Sequence, residues 1–150
     1  MYTIQGVIRK GINNAFTQFE RLGQVGNNLA NMNTNAYKTV RFEQMLGEDG
    51  YLKGAIRTDF AQGSIRITSN PYDVAIDGAG FIPVTSPTGE VQYTRDGGFK
   101  QGYNEFSNVS LQEEFVNLMP VIKNFDANRQ LFMIQNQNLQ KVISQLGSAT

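Results

Sequence analysis

The sequence has no cysteine and no histidine. Without cysteine there can be no disulfide and no thiolate metal site. Without histidine the common zinc sites are excluded, and with them the Ser-His-Asp and Cys-His mechanisms. Only carboxylate, lysine, tyrosine or hydroxyl chemistry is left to a catalyst. An excess of charge is missing too: 13 basic residues balance 13 acidic ones over 150 residues. A nucleic-acid partner requires a basic excess, and an anionic membrane surface a polybasic run; the chain has neither. No apolar run approaches the roughly 20 residues that cross a bilayer, so no membrane insertion is expected. The opening stretch MYTIQGVIRKGINNAF has neither the continuous apolar core nor the cleavage site of a secretory signal. That fits a cytoplasmic protein, and equally one exported by a machine that leaves its substrates uncleaved.

What the sequence does have is asparagine concentrated in one place. NNLANMNT, residues 27–34, holds four in eight positions. It ends a stretch of helical periodicity. Over residues 3–32, Ile8, Ile12, Ala15, Phe19, Leu22, Gly26 and Leu29 step alternately by four and three, the seam of a helix that packs on other helices. Gly11, Gly23 and Gly26 each weaken it by about 1 kcal/mol relative to alanine, so it needs tertiary or intermolecular contacts.

From about 40 to 62 the period fades, and LGEDGYLKG reads as loop. Strands follow: SIRIT, with Ile65 and Ile67 on one face, then YDVAID, with Val74 and Ile76. Gly78 and Gly80 bracket the next turn. FIPVT and EVQYTR flank SPTG, where Pro87 and Gly89 suit the second and fourth positions of a type I turn. Pro83 fits only an edge or a bulge. From Ser107 to Leu146 the four-three step returns through Leu111, Phe115, Leu118, Ile122, Phe125, Arg129, Phe132, Asn136, Leu139, Ile143 and Leu146. Ser110 with Glu113 has the spacing of a capping box. Pro120 predicts a kink there, or two helices instead of one. The expected fold class is α+β: N- and C-terminal helices forming a coiled-coil-like bundle, plus a small antiparallel β-domain over residues 55–100.

Candidate sites are few. DGAGF, Asp77 to Phe81, lacks the third glycine of a dinucleotide loop and precedes strands, so it reads as a strand-to-strand turn. Asp73, Asp77, Glu90 and Asp96 could supply a carboxylate pair for a small hydrolase, yet acidic residues at strand ends are usually turn formers. Glu113 and Glu114 read as helix-start residues that complement the dipole. Tyr72, Phe81, Tyr93 and Phe99 read as β-core, and Phe115, Met119, Phe125, Phe132 and Met133 as helix packing. No cofactor or metal site is expected, and the chain reads as a protein that works by contact.

Three stretches together resemble one family, the bacterial flagellar axial proteins of the basal-body rod and hook. GNNLANMNTNAYKT (26–39) is similar to its N-terminal signature. YDVAIDGAGFIPVTSPTGEVQYTRDGGF (72–99) is similar to the segment that follows, with Ala-Ile-Asp-Gly, Gly-Phe and Tyr-Thr-Arg landmarks. QGYNEFSNVSLQEEFVNLM (101–119) resembles the start of the C-terminal helix, and NFDANRQ its aromatic-x-Ala-Asn element. The resemblance implies a structural rod subunit, not an enzyme, in which terminal helices pair and pack against neighbouring subunits to form the axial drive shaft and export channel; a hook subunit is the alternative. It implies copies of itself, other axial proteins and the flagellar type III export apparatus as partners, and a place in the periplasmic rod without a cleaved signal peptide. Residues 1–39 and 107–150 become assembly segments, with a linker and β-domain over 40–106. Assembly contacts are expected of Asn27, Asn28, Leu29, Asn31, Asn33 and Thr34, and of Leu111, Phe115, Leu118, Ile122, Phe125 and Asn128. Two departures stand out. Ala36 and Tyr37 replace the usual glycine and phenylalanine, so a positive φ at Ala36 would carry a cost. At GGFKQGYNEF almost nothing intervenes where relatives continue with more β-structure, the mark of a naturally minimal member or of a deleted middle segment.

Overall fold

The computed structural model describes residues 4–95 and 100–147. Helix α1 spans Ile4–Ala30 and helix α2 spans Leu111–Gly147. Between them lie β1 (Val40–Leu46), β2 (Leu52–Thr58), β3 (Ile65–Ile67), β4 (Val74–Ala75), β5 (Ile82–Thr85), β6 (Val91–Thr94), β7 (Lys100–Gln101) and β8 (Tyr103–Glu105). Among the described residues they form two-stranded sheets: β1 with β2, β3 with β8, β4 with β7 and β5 with β6. The fold class is α+β, as the periodicity indicates. The chain divides into two compact units. One comprises residues 1–23, 42–55 and 116–150, the other 24–41 and 56–115.

In the first unit the early part of α1 lies antiparallel to α2. The Phe19 and Phe125 rings meet edge to face with centroids 4.8 Å apart, and Asn14 Nδ2 donates to Asn128 Oδ1 at 3.3 Å. A Cβ added to Gly11 would sit 3.4 Å from both Leu131 and Phe132, ordinary van der Waals contact, so α2 passes close to this glycine without excluding an alanine. The strands on either side of residues 47–51 were not apparent from the sequence, which reads as loop here. They close on the bonds Gly47 N–H to Tyr51 O and Gly50 N–H to Gly47 O, both 2.8 Å, and Asn13 Oδ1 accepts the Leu52 N–H at 2.8 Å. The period is broken because Gly54 stands where a strand would carry a side chain. A Cβ there would fall 2.4 Å from Phe42 Cζ, so the phenylalanine ring covers the glycine across the pair.

Pro120 neither ends the C-terminal helix nor divides it; α2 runs through it. Its ring is exposed, and the carbonyl left without its partner on that side can be hydrated. Ser110 caps α2, its Oγ accepting the Glu113 N–H at 3.4 Å. Glu113 does not complete a reciprocal box: its carboxylate reaches Arg41 Nη2 at 3.4 Å.

In the second unit the SPTG turn forms as read, with Gly89 N–H bonded to Ser86 O at 2.8 Å and Gly89 at φ 83°. Pro83 pairs with Tyr93 in a two-stranded sheet, where every strand is an edge. The expected aromatic β-core does not form. Tyr72, Phe81 and Tyr93 are exposed, and Phe99 lies outside the described residues. A two-stranded ribbon has no second layer to bury a face against.

Among the described residues the core is mostly polar. The buried apolar residues are Val25, Ala75, Ile76 and Val121, whereas Gln18, Asn28, Lys38, Arg95, Glu105, Glu114 and Asn128 are all buried.

Candidate functional site

The buried polar residues of the second unit form one junction, and they come from all three signature stretches. Asn28, near the end of α1, is 2% exposed. Its Nδ2 donates to Val40 O at 2.9 Å and to Glu114 Oε1 at 2.8 Å. Its Oδ1 accepts the Val40 N–H at 3.0 Å and the Tyr37 hydroxyl at 3.1 Å. Two donors and two lone pairs are all that a side-chain amide has, so Asn28 is saturated within its own chain. Asn108 is used in the same way. Its Oδ1 accepts the Thr39 N–H and hydroxyl at 2.6 and 2.8 Å, and its Nδ2 donates to Asp59 O and Ala61 O, both at 2.9 Å.

A second hub is Glu105, which is fully buried. Its Oε1 accepts Lys38 Nζ at 2.6 Å and the Gly63 N–H at 2.9 Å, and its Oε2 accepts Arg95 Nε at 3.1 Å. Arg95 continues to Gly80 O at 2.8 Å and Gly78 O at 2.9 Å, pinning the DGAGF turn. Gly78 and Gly80 have φ of 117° and 145°, which turns their carbonyls toward the guanidinium at low steric cost. Burial by itself would raise the Glu105 carboxyl, but the Lys38 ammonium, the Gly63 N–H and Arg95 hold it below its ordinary value. Glu114 is shifted the other way: burial raises it, and the bond from Asn28 and the more distant Arg41 only partly offset this. The Tyr37 hydroxyl is raised by burial and then by the Glu114 charge.

Ala36 completes the junction. Its φ is 55°, and its N–H donates to Glu105 O at 2.8 Å. The position that resembles the family's glycine does need left-handed backbone, and alanine adopts it at a cost.

The residues expected to make assembly contacts divide between inside and outside. Asn28 and Asn128 face inward. Asn31 Nδ2 donates to Asn27 O at 2.9 Å, and Thr34 Oγ1 donates to Asn31 Oδ1 at 3.1 Å, in the turns that end α1. Asn27 and Asn33 are exposed, while Leu29, Leu118 and Phe125 are half-buried. Leu111, Phe115 and Ile122 are exposed at 40%, 56% and 49%.

The helix faces invert the expected seam. In α1 the buried positions are Gly11, Thr17, Gln18, Val25 and Asn28, and Gly11, Gln18, Val25 and Asn28 lie on one stripe with the half-buried Asn14 between them. That stripe keeps the four-three step but is displaced by one residue from Ile12, Ala15 and Phe19. Within the first unit Ile12, Phe16 and Phe19 are 44%, 66% and 57% exposed, and on α2 Met133, Ile134 and Ile143 are 55%, 54% and 67% exposed. A cleft of about 470 Å³ lies there beside Ala15, Phe125, Phe132 and Met133.

The carboxylates weighed for hydrolysis sit in turns: Asp73 accepts Asn70 Nδ2 at 2.9 Å, Asp77 and Glu90 are exposed, and Asp96 lies outside the described residues. Among the described residues no group of three or more acidic side chains is gathered as a metal site, and no helix is long and apolar enough to cross a membrane.

Two family models match the chain. "Flagellar hook protein FlgE/F/G D1 domain" covers residues 75–112, and "Flagellar basal body rod FlgEFG protein C-terminal" covers residues 100–146. The chain is similar to proteins of the flagellar rod and hook family. The flagellar hook protein FlgE of Rhizobium meliloti is 34% identical over 107 residues, covering 65% of this chain and 26% of the relative. The flagellar basal-body rod protein FlgG of Borreliella burgdorferi is 30% identical over 126 residues, covering 61% of this chain and 48% of the relative. FlgG of Buchnera aphidicola subsp. Baizongia pistaciae is 31% identical over 128 residues, covering 69% and 48%. The chain thus spans about a quarter to a half of the length of these curated relatives. Lys38, Arg95, Glu105 and Asn108 all fall within the signature stretches, yet sequence reasoning gave them no role. The signal available was one of type: Lys38 is the one charged residue of its stretch and Arg95 the one basic residue of its own, and such a residue is a candidate for burial in a pair.

Proposed function

We propose that the chain is a structural subunit of the flagellar basal-body rod, which polymerises through its terminal helices and has no catalytic duty. The observation that carries this reading is the apolar surface left exposed on both helices, led by Ile12, Phe16, Phe19, Met133, Ile134 and Ile143. Contiguous apolar surface on a folded chain marks a contact face for another protein. Residues 1–39 and 107–150 act as assembly segments and 40–106 as the intervening linker and β-domain. Asn27, Asn33, Leu111, Phe115 and Ile122 remain available to a neighbour, whereas Asn28 and Asn128 serve their own chain. The partners are copies of this chain and other axial proteins, reached through the flagellar type III export apparatus. The location is the periplasmic rod.

The short stretch between the helices, residues 31–110, favours rod over hook. A hook subunit is the second reading, favoured by the 34–35% identity to hook proteins against 30–32% to rod proteins. Sedimentation and electron microscopy at rising concentration test the assembly role. Straight rods support the rod reading and curved tubes the hook reading. A persistent monomer, or glycosidase activity that follows the protein through purification, contradicts both.

A further inference from the structure

Glu114 is buried at the start of α2, and its two oxygens are treated differently. Oε1 accepts Asn28 Nδ2 at 2.8 Å, while Oε2 is fully enclosed and has no hydrogen-bond partner. The charged and titratable groups around it are few. From α1 comes the neutral amide of Asn28, from the segment before β1 the Tyr37 hydroxyl, from β1 Arg41, and from its own helix Glu113. Arg41 is engaged elsewhere, with Nη2 at 2.9 Å from Asp59 Oδ2 and 3.4 Å from Glu113 Oε2. Asn28 cannot give more, since both of its N–H groups are committed. An ionised carboxylate in this position therefore has one enclosed oxygen with neither a donor nor a cation. Such a group is costly in its charged form and far less so once protonated.

We propose that Glu114 is a proton-operated latch that ties the start of α2 to the end of α1 within the second unit, tight when protonated and strained when ionised. Asn28 reads the same Oε1 in both states, so protonation relieves Oε2 without breaking the existing bond. The folded chain takes up this proton more readily than the unfolded chain. The latch thus adds stability at mildly acidic pH and loses it as pH rises through the folded-state pKa. This is opposite in sign to Glu105, whose contribution is lost as pH falls, so the second unit is most stable at an intermediate, mildly acidic pH.

The test is a pair of thermal melts of the full chain at pH 5.5 and pH 7.5, for wild type, Glu114→Gln and, as a control, Glu113→Gln. Wild type should melt higher at the lower pH, the side of the folded-state titration on which Glu114 holds its proton. Glu114→Gln should remove most of that shift, and Glu113→Gln should keep the greater part of it. Should Glu114→Gln fail to fold, carbon NMR of the wild-type side-chain carboxyls gives the same answer without substitution. A Glu114 titration midpoint above the ordinary glutamate value of 4.5 supports the latch. A midpoint at or below that value, or a melting shift that Glu114→Gln leaves intact, overturns it.

Discussion

The two units handle their polar and apolar groups in opposite ways. The second unit turns amides and charges inward and ties most of them into one network: Asn28 and Asn108 each use their full hydrogen-bonding capacity and Glu105 accepts from three partners, while Glu114 Oε2 and Asn104 Oδ1 are enclosed without one. The first unit also turns amides inward, with Gln18 Nε2 donating to Asn14 Oδ1 at 3.3 Å and Asn14 to Asn128. It leaves the ends of that chain unsatisfied, at Gln18 Oε1 and Asn128 Nδ2, and buries Val121 while leaving Ile12, Phe16, Phe19 and Ile122 exposed. A satisfied polar network specifies one arrangement and can hold a unit whose apolar core is very small. A helix pair with its apolar face outward is incomplete without further surface. The signature stretches therefore serve the folding of this chain, and the proposed assembly role falls to the less distinctive apolar positions.

Substitutions in the junction should have the largest effect. Glu105→Ala leaves Lys38 and Arg95 buried without their counter-charge, and breaking such a pair costs roughly 3–5 kcal/mol. Denaturant melts should report that loss as unfolding of the second unit. If the variant melts as wild type does, the hub is not holding the unit.

Asn28→Ala comes next. It removes four hydrogen bonds and strands Glu114 Oε1 in addition to the already unpartnered Oε2. A cost of about 2–3 kcal/mol is expected, the penalty for leaving buried groups unpaired. An unchanged melt combined with weaker assembly would return Asn28 to the intersubunit role first expected of it.

The pH dependence below neutrality is smaller and has a defined sign. Glu105 has a folded-state pKa held below 4.5. Its contribution is complete above the unfolded-state value and disappears as pH falls through the folded-state value. Melting temperature should therefore drop on acidification below about pH 4.5, and Glu105→Gln should lose that dependence. The smallest effect expected in the junction is a gain. Ala36→Gly removes the left-handed strain at φ 55° and should stabilise by about 1 kcal/mol. A loss of stability there would mean that the alanine methyl is worth more than the strain.

What was legible in the sequence was local. The SPTG turn, the edge position of Pro83 and the Ser110 cap depend on residues within a few positions of one another, so composition and spacing carry them; the cost at Ala36 was implied by the resemblance alone. The junction depends on partners far apart in the chain, such as Asn28 with Glu114 and Lys38 with Glu105, separated by 86 and 67 positions. No spacing rule connects those. The β1–β2 pair was missed because Gly54 and Gln44 interrupt the alternation; at Gly54 the Phe42 ring takes the space a Cβ would need. The seams were misplaced for a different reason. Periodicity finds the apolar stripe on a helix, but it does not say whether that stripe turns toward its own chain or toward another copy.

The central claim is that the exposed apolar stripe assembles the protein without folding it. The direct test is a single variant, Ile12→Ser with Phe16→Ser and Ile122→Ser, all on exposed positions of the first unit. It is followed by sedimentation at rising concentration, with the melting temperature of the dilute protein measured alongside. The account predicts a melting temperature close to that of wild type and no large assemblies at any concentration where wild type forms them. A variant that assembles normally, or one that melts far below wild type as a dilute monomer, would contradict it.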